Sequence, residues 1–114
     1  MTSARQALGA KGEAMAARWY ERNGYEIVAR NWRCRDGELD LIVRKAGVVV
    51  FCEVKARQGT GFGGPQAAVD WRKQRRLRHL AVIWLAEHRP GAVEVRFDVA
   101  AVVGAKIEVI IGAF

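Results

Sequence analysis

The chain has 114 residues, the usual size of one globular domain, and 19 Lys and Arg residues outnumber 12 Asp and Glu residues to give a net charge of +7. Hydrophobic residues make up 51% and charged residues 27%, a balance that excludes a disordered chain. No apolar run approaches the ~20 residues of a membrane helix, and no secretory signal is recognisable, so we expect a cytoplasmic protein without a membrane partner. The charge favours a polyanionic partner, and by itself suits nucleic acid, an acidic protein surface or anionic lipid alike.

The first half of the chain is predicted to form one helix followed by three strands. The segment 4–23 is rich in helix-forming residues, and Asn23-Gly24 provides a C-terminal stop because Gly takes the left-handed conformation easily. Along this helix Leu8, Gly12, Met15 and Trp19 recur at helical spacing on one stripe, and Glu13 follows another with Gly9, Ala16 and Tyr20, whose small side chains would let it approach the sheet. Strands are predicted over 25–32, 38–44 and 48–57 from alternation of apolar and polar residues, and Cys52 in the last of these is expected to be a buried thiol.

The second half adds a loop, a helix and two strands. Four glycines fall within 58–65, which predicts a loop that serves as a lid or a linker. The segment 66–89 has no Pro or Gly and carries apolar residues at helical spacing, so it is predicted as the second helix. Strands over 93–99 and 107–111 complete the order helix, three strands, helix, two strands. This order favours an α/β sandwich around one mixed sheet in a single domain, 1–114.

The second and third strands form a predicted hairpin that brings charged residues together. If Ala46-Gly47 is a two-residue turn, Lys45 pairs with Val48, and the same register pairs Asp40 with Glu53 and Glu38 with Lys55. Paired residues point to the same side of a sheet, so three acids and one lysine converge. The opposite face then becomes apolar, with Leu39, Leu41 and Val43 across from Val54, Cys52 and Val50.

Two carboxylates that face each other across a strand pair repel, and a bound cation removes the conflict. Asp40 and Glu53 are therefore candidate ligands for Mg²⁺ or Mn²⁺, which take carboxylate oxygens and keep positions open for water and phosphate. Lys55 is a candidate to orient the attacking water or to stabilise developing negative charge. The three residues together indicate phosphodiester hydrolysis. The competing interpretation is a surface ladder of salt bridges.

The same residues carry a resemblance to known families. Asp40 followed by Glu53-Val54-Lys55 resembles the bipartite motif of the PD-(D/E)xK nuclease superfamily, with Leu39 where the motif name has Pro. Over nearly the whole chain the sequence resembles the YraN-like family, notably at Gly12-Glu13, at 37–42, at 50–57 and at Phe97-Asp98-Val99. The resemblance implies the restriction-endonuclease-like fold, a three-layer α/β/α sandwich with a mixed central sheet. By analogy it implies a metal-dependent nuclease acting on DNA, including branched or junction DNA.

Several further residues are candidates for supporting roles. Glu13 is either a third catalytic acid or a solvated or capping residue, and Glu38 is expected to support the site. Gln66 and Lys73 are placed nearest the metal, Gln66 by its position at the predicted helix start and Lys73 by the family resemblance. Nucleic-acid contacts are assigned to a basic group that would otherwise be only a solvated face. Its members are Arg57, Arg72, Lys73, Arg75, Arg76 and Arg78.

Three functions remain open at this point. The first is a metal-dependent endonuclease, and the second is a nucleic-acid-binding module that retains the fold without useful turnover. The third is an adaptor in DNA processing. The set of two acids and a lysine favours the nuclease, because binding alone does not need carboxylates facing a phosphate. Among the tryptophans, Trp32 is the predicted base-stacking residue, whereas Trp19, Trp71 and Trp84 are expected to pack in the core or between helices.

Overall fold

The structure is a computed structural model that describes residues 3–57 and 69–114. Its elements are α1 (Ala4–Arg22), β1 (Glu26–Cys34), β2 (Gly37–Lys45), β3 (Val48–Arg57), α2 (Trp71–His88), β4 (Glu94–Val103) and β5 (Lys106–Ile110). The order confirms the predicted sequence of elements. The predicted lid at 58–65 and the candidate Gln66 lie outside the described residues.

The strands form one mixed, open sheet in the order β1-β2-β3-β4-β5. β1 with β2, β2 with β3 and β4 with β5 pair antiparallel, whereas β3 and β4 pair in parallel. A parallel pair needs a long crossover between its strands, and α2 belongs to that connection. The strand order places β3, which carries Glu53 and Lys55, at the centre of the sheet.

The two helices cover opposite faces of the sheet, which gives three layers. On one face α1 packs through Ala16, Ala17 and Tyr20, together with the sheet residues Leu41, Val43, Val50, Cys52 and Ala100. On the other face α2 packs through Leu77, Leu80, Ala81 and Trp84, together with Leu39, Ile42, Val49, Phe51, Phe97 and Val99. Cys34 and Cys52 are both free thiols, and Cys52 is buried as predicted. No helix of the described residues is long and apolar enough to cross a membrane.

The inward face of α1 differs from the predicted stripe. Its buried residues are Gly12, Ala16, Ala17 and Tyr20. Of the predicted stripe, Gly12 is buried and Trp19 packs against the same core, whereas Leu8 and Met15 are only partly buried. Small side chains let the helix lie close to the sheet: a Cβ on Gly12 would come within 2.7 Å of the Ala56 Cβ. The close approach brings the neighbouring Glu13 toward the strands.

Helix α2 begins later than predicted. Asp70 is its N-cap, with the carboxylate accepting a hydrogen bond from the Lys73 backbone N–H at 2.9 Å, so Val69 and Asp70 precede the helix. At the other end Arg89 has a φ of 43° and stops the helix at His88, one residue before the predicted end. The boundaries follow from capping, which the apolar periodicity of the segment does not show.

The β2–β3 hairpin confirms the predicted register over part of its length. Ala46 and Gly47 have φ values of 49° and 79°, as a two-residue hairpin turn requires. Regular pairing runs from Lys45 with Val48 to Leu41 with Cys52 and then ends. The predicted ladder pairs of Asp40 with Glu53 and of Glu38 with Lys55 are therefore absent from the described pairing.

The predicted apolar face of β2 is wrong at one residue. Leu41 and Val43 pack on the α1 side, but Leu39 packs on the α2 side with Ile42. The alternation breaks where β2 lies beside Asn31 of β1, whose φ is 52°. A left-handed residue within a strand disturbs the regular pleat, so the position of Asp40 falls at an irregular point of the sheet.

Candidate active site

Asp40 is held beside β3 by its own side chain. Where the ladder between β2 and β3 ends, the Asp40 Oδ2 atom accepts a hydrogen bond from the Val54 backbone N–H at 2.9 Å. The carboxylate thus takes the place of a backbone acceptor and pulls Asp40 against the strand that carries Glu53. Glu53 follows Phe51 on the face of β3 that points toward α2, and it is only 8% exposed.

The two carboxyl groups interact strongly. The pKa of Asp40 is raised to about 7, first by burial and then by Glu53, which repels the charged form and hydrogen-bonds the protonated form. The Val54 N–H and the charge of Lys73 oppose this rise but do not cancel it. Below about pH 7 the acid pair therefore holds a proton, and above that pH it carries a second buried negative charge. A cation between the carboxylates would relieve this repulsion.

Two lysines lie next to the acid pair. The Lys73 Nζ atom is 3.4 Å from the Glu53 Oε2 atom, so α2 contributes the counter-charge that Glu53 has in this structure. The pKa of Lys55 is lowered, first by burial and then by Lys73, while Glu53 and Asp40 oppose the shift. Positive and negative groups from β2, β3 and α2 thus form one electrostatic cluster.

The cluster opens into a cleft between the sheet and α2. The cleft has a volume of about 320 Å³ and is lined by Asp36, Gly37, Glu38, Asp40, Glu53, Lys73, Arg76 and Leu77. Carboxylates on one wall and cations on another are the groups that a metal ion and a phosphate group would need side by side. Lys55 does not line this cleft and acts on it from the adjoining part of β3.

Glu38 lies at the cleft, whereas Glu13 lies outside its lining. Glu38 lines the cleft but pairs with Arg33, at 3.0 Å between Glu38 Oε2 and Arg33 Nε, rather than with Lys55. Glu13 does not line the cleft, and its pKa is raised by burial and by the charges of Asp40 and Glu38, against a hydrogen bond from Asn31. Within the described ranges, no three His, Cys, Asp or Glu side chains form a group that could hold a metal ion.

The basic residues of α2 divide into three groups. Lys73 and Arg76 line the cleft. Arg78 lies over the rings of Phe97 and Phe114, at 4.8 and 5.5 Å from their centroids. Arg72 and Arg75 lie over the Trp71 ring, at 5.3 and 5.9 Å. The remaining member of the predicted basic group, Arg57, is not in α2 and is exposed at the end of β3. Lys73 and Arg76 are the members of the predicted basic group with direct access to the acid pair.

Two polar clusters were missed by the sequence analysis. His79 and Asp36 form a pair at 2.9 Å at the rim of the cleft. Asp98 is fully buried on the α1 side of β4 and accepts hydrogen bonds from the Tyr20 hydroxyl at 2.6 Å and from Arg96 at 2.9 Å. The signal that could have revealed this cluster is an acidic residue, Asp98, within a strand whose two faces are both covered by helices. This second cluster ties α1 to β4 and does not reach the cleft.

Comparison with known proteins identifies the family. The model of the Uncharacterised protein family UPF0102 matches residues 12–102, a range that includes the acid pair and both lysines. A UPF0102 protein of Nocardia farcinica is 56% identical, covering 86% of this chain and 77% of its own. One from Beutenbergia cavernae is 56% identical over 87% of this chain and 84% of its own. Another from Acidothermus cellulolyticus is 48% identical over 98% of this chain and 96% of its own. The chain therefore belongs to the UPF0102 family, which confirms the YraN-like resemblance.

Proposed function

We propose that the protein is a divalent-metal-dependent nuclease that hydrolyses phosphodiester bonds in DNA, with the restriction-endonuclease-like fold of the PD-(D/E)xK superfamily. One observation carries the proposal: Asp40 and Glu53 converge at a cleft, where burial and then the neighbouring Glu53 raise the pKa of Asp40 to about 7. Such an acid pair costs stability in a protein without a cation, and a function that needs the pair accounts for it.

The residues present fit Mg²⁺ or Mn²⁺. Mg²⁺ is commonly bound by one or two protein carboxylates, with waters and substrate phosphate oxygens completing the octahedron, and Asp40 and Glu53 provide those two carboxylates. When bound, the ion would supply Lewis acidity toward the phosphoryl group and lower the pKa of a water molecule. The two-carboxylate set favours Mg²⁺ or Mn²⁺ over Zn²⁺, which is usually held by three or four His, Cys or acidic side chains.

The chain's own residues then have separate tasks. Asp40 and Glu53 supply negative charge to the ion, and the Val54 N–H fixes the Asp40 carboxylate in position. Lys55, half-buried with a lowered pKa, is placed to orient water or to stabilise negative charge that develops on the phosphate. Lys73, which balances Glu53 in this structure, and Arg76 on the cleft wall are placed to contact the phosphate of the strand to be cut.

A nucleic-acid-binding module without turnover is the second candidate function. The exposed arginines of α2 favour it, because phosphate contacts alone would account for them. The acid pair separates the two candidates, since carboxylates in a phosphate-binding cleft weaken binding unless a metal ion neutralises them.

The proposal is tested by a cleavage panel in the presence of Mn²⁺. Labelled single-stranded, duplex, flap and four-way-junction DNA, together with a structured RNA, are incubated with the protein and resolved on denaturing gels. We expect wild type to cut at least one DNA, branched DNA included, and Asp40→Asn to cut it on the order of 100-fold more slowly. Binding without metal should survive in Asp40→Asn and tighten slightly, because a negative charge has been removed next to the phosphate path.

Asp36→Asn is the matched control. It also removes one negative charge from the lining of the cleft, but Asp36 pairs with His79, whereas Asp40 interacts with Glu53. Its cleavage rate should stay near that of wild type. If wild type cuts none of the substrates, or Asp40→Asn cuts as fast as wild type, the nuclease proposal is wrong and the binding module replaces it.

A further inference from the structure

Trp71 is an exposed aromatic residue at the start of α2. It was predicted to pack in the core or between helices, but it is the first residue of α2 and is 59% exposed. Trp32, the predicted stacking residue, instead packs against the α2-side core and is only partly accessible. The ring of Trp71 thus offers solvent a flat apolar face of the kind on which a nucleobase can stack.

Two guanidinium groups lie over the ring of Trp71. The Cζ atoms of Arg72 and Arg75 lie 5.3 and 5.9 Å from the Trp71 ring centroid. Neither arginine forms an ion pair with a carboxylate in the part of the chain that the structure describes. Like charges held close together repel, and the nearby Asp70 carboxylate is engaged as the N-cap with the Lys73 backbone N–H. An incoming phosphate would neutralise them.

The geometry of a helix connects Trp71 to the cleft. Successive residues advance by about 100° around an α-helix. Going round α2 from the cleft across its solvent face, the order in the first two turns is Lys73, Arg76, Arg72, Arg75 and Trp71, so Trp71 lies beyond the most exposed position, about 140° round the helix from Arg76. The first two of these line the cleft with the acid pair. A continuous band of positive charge thus leads from the cleft to the exposed indole.

We propose that Trp71 stacks an unpaired nucleobase of the strand whose phosphate occupies the cleft, while Arg72 and Arg75 turn from the ring to the adjoining phosphates. The inference rests on the proposed function and names its substrate class: DNA with unpaired nucleotides next to the cleavage site. Bases in an intact duplex are already stacked on their neighbours and cannot cover the indole, whereas flaps, junctions with open arms and single strands can.

The test measures binding without metal, so that it does not depend on cleavage. In EDTA, the affinities for a labelled oligothymidine of about 12 nucleotides and for a blunt duplex of equal phosphate number are measured by fluorescence anisotropy. Trp71→Ala should weaken single-strand binding by roughly 5- to 150-fold, the range found when one stacking aromatic is removed, and should change duplex binding by less than about twofold. Trp71→Phe should retain most of the single-strand affinity.

Val82→Ala is the matched control. Val82 is 64% exposed and lies eleven residues after Trp71, three helical turns further along nearly the same face of α2. Its loss should leave both affinities unchanged. Thermal unfolding of each variant confirms that the fold is retained.

The outcomes separate this inference from the proposed function. Equal weakening of single-strand and duplex binding in Trp71→Ala would overturn the stacking role, as would no weakening at all. Displacement of oligothymidine by polyglutamate of equal charge, with the same loss in Trp71→Ala, would assign the site to an acidic protein instead. If Trp71→Ala selectively weakens single-strand binding while wild type cuts no substrate, the stacking role stands and the nuclease proposal falls.

Discussion

Asp98→Ala is expected to lower the free energy of unfolding by about 3–5 kcal/mol, the range found when one partner of a buried charge network is removed. Asp98 is fully buried and accepts hydrogen bonds from Tyr20, Arg96 and the Gly112 N–H. Without it the Tyr20 hydroxyl has lost its acceptor inside the protein, and Arg96 has lost its carboxylate. The change also removes the bond that joins α1 to β4 across the core.

Urea unfolding followed by circular dichroism measures the effect. Arg33→Ala is the control, because it breaks an ion pair with Glu38 in which the Arg33 side chain is 77% exposed, and such a pair is expected to contribute less than about 1 kcal/mol. A change of less than about 1 kcal/mol in Asp98→Ala would mean that the network adds little to stability, contrary to its burial.

Lys55→Ala is expected to slow metal-dependent cleavage by about 100-fold or more while leaving the affinity for Mn²⁺ within a few-fold of wild type. Lys55 lies beside the acid pair on β3, but a cation cannot ligate a metal ion, so its contribution is made to water or to the transition state. Single-turnover cleavage and a Mn²⁺ titration on the same variant separate the two effects.

Lys106→Ala is the control for Lys55→Ala, since it removes an exposed lysine at the start of β5 and should alter neither quantity. Cleavage by Lys55→Ala within about twofold of wild type would remove Lys55 from the mechanism. A parallel loss of Mn²⁺ affinity would instead show that Lys55 supports the metal site itself.

Much of the fold could be predicted because local patterns determine it. Period-two alternation located the strands, and the Ala46-Gly47 turn gave the hairpin register down to Leu41 with Cys52. The buried face of α1 departs from the stripe of large apolar residues because small residues such as Gly12 and Ala16 allow the close approach to the sheet. The start of α2 was missed because Asp70, a single capping residue, decides it.

The alternation of strand side chains between the two faces of the sheet was enough to predict the acid pair of the candidate site. It did not give the reason why the two carboxylates converge. Asp40 reaches Glu53 through a side-chain hydrogen bond to the Val54 N–H at the point where regular pairing ends. The positive φ of Asn31 beside this point has no signal in strand alternation. The ion pair of Lys73 with Glu53 depends on how α2 crosses the sheet, so the sequence assigned Lys73 to the site only through a family resemblance.

A Mn²⁺ titration of the wild-type protein and Asp40→Asn, followed by calorimetry between pH 6 and 8, tests the proposed metal site most directly. Because the pKa of Asp40 is raised to about 7 in the absence of metal, a cation must displace a proton below that pH. Wild type should therefore bind Mn²⁺ tightly at pH 8 and lose up to about tenfold in affinity per pH unit below 7. Asp40→Asn should bind at least about tenfold more weakly at pH 8 and with a flatter pH dependence. Equal affinity of the two proteins, or no binding by wild type, would contradict a metal site at Asp40 and Glu53.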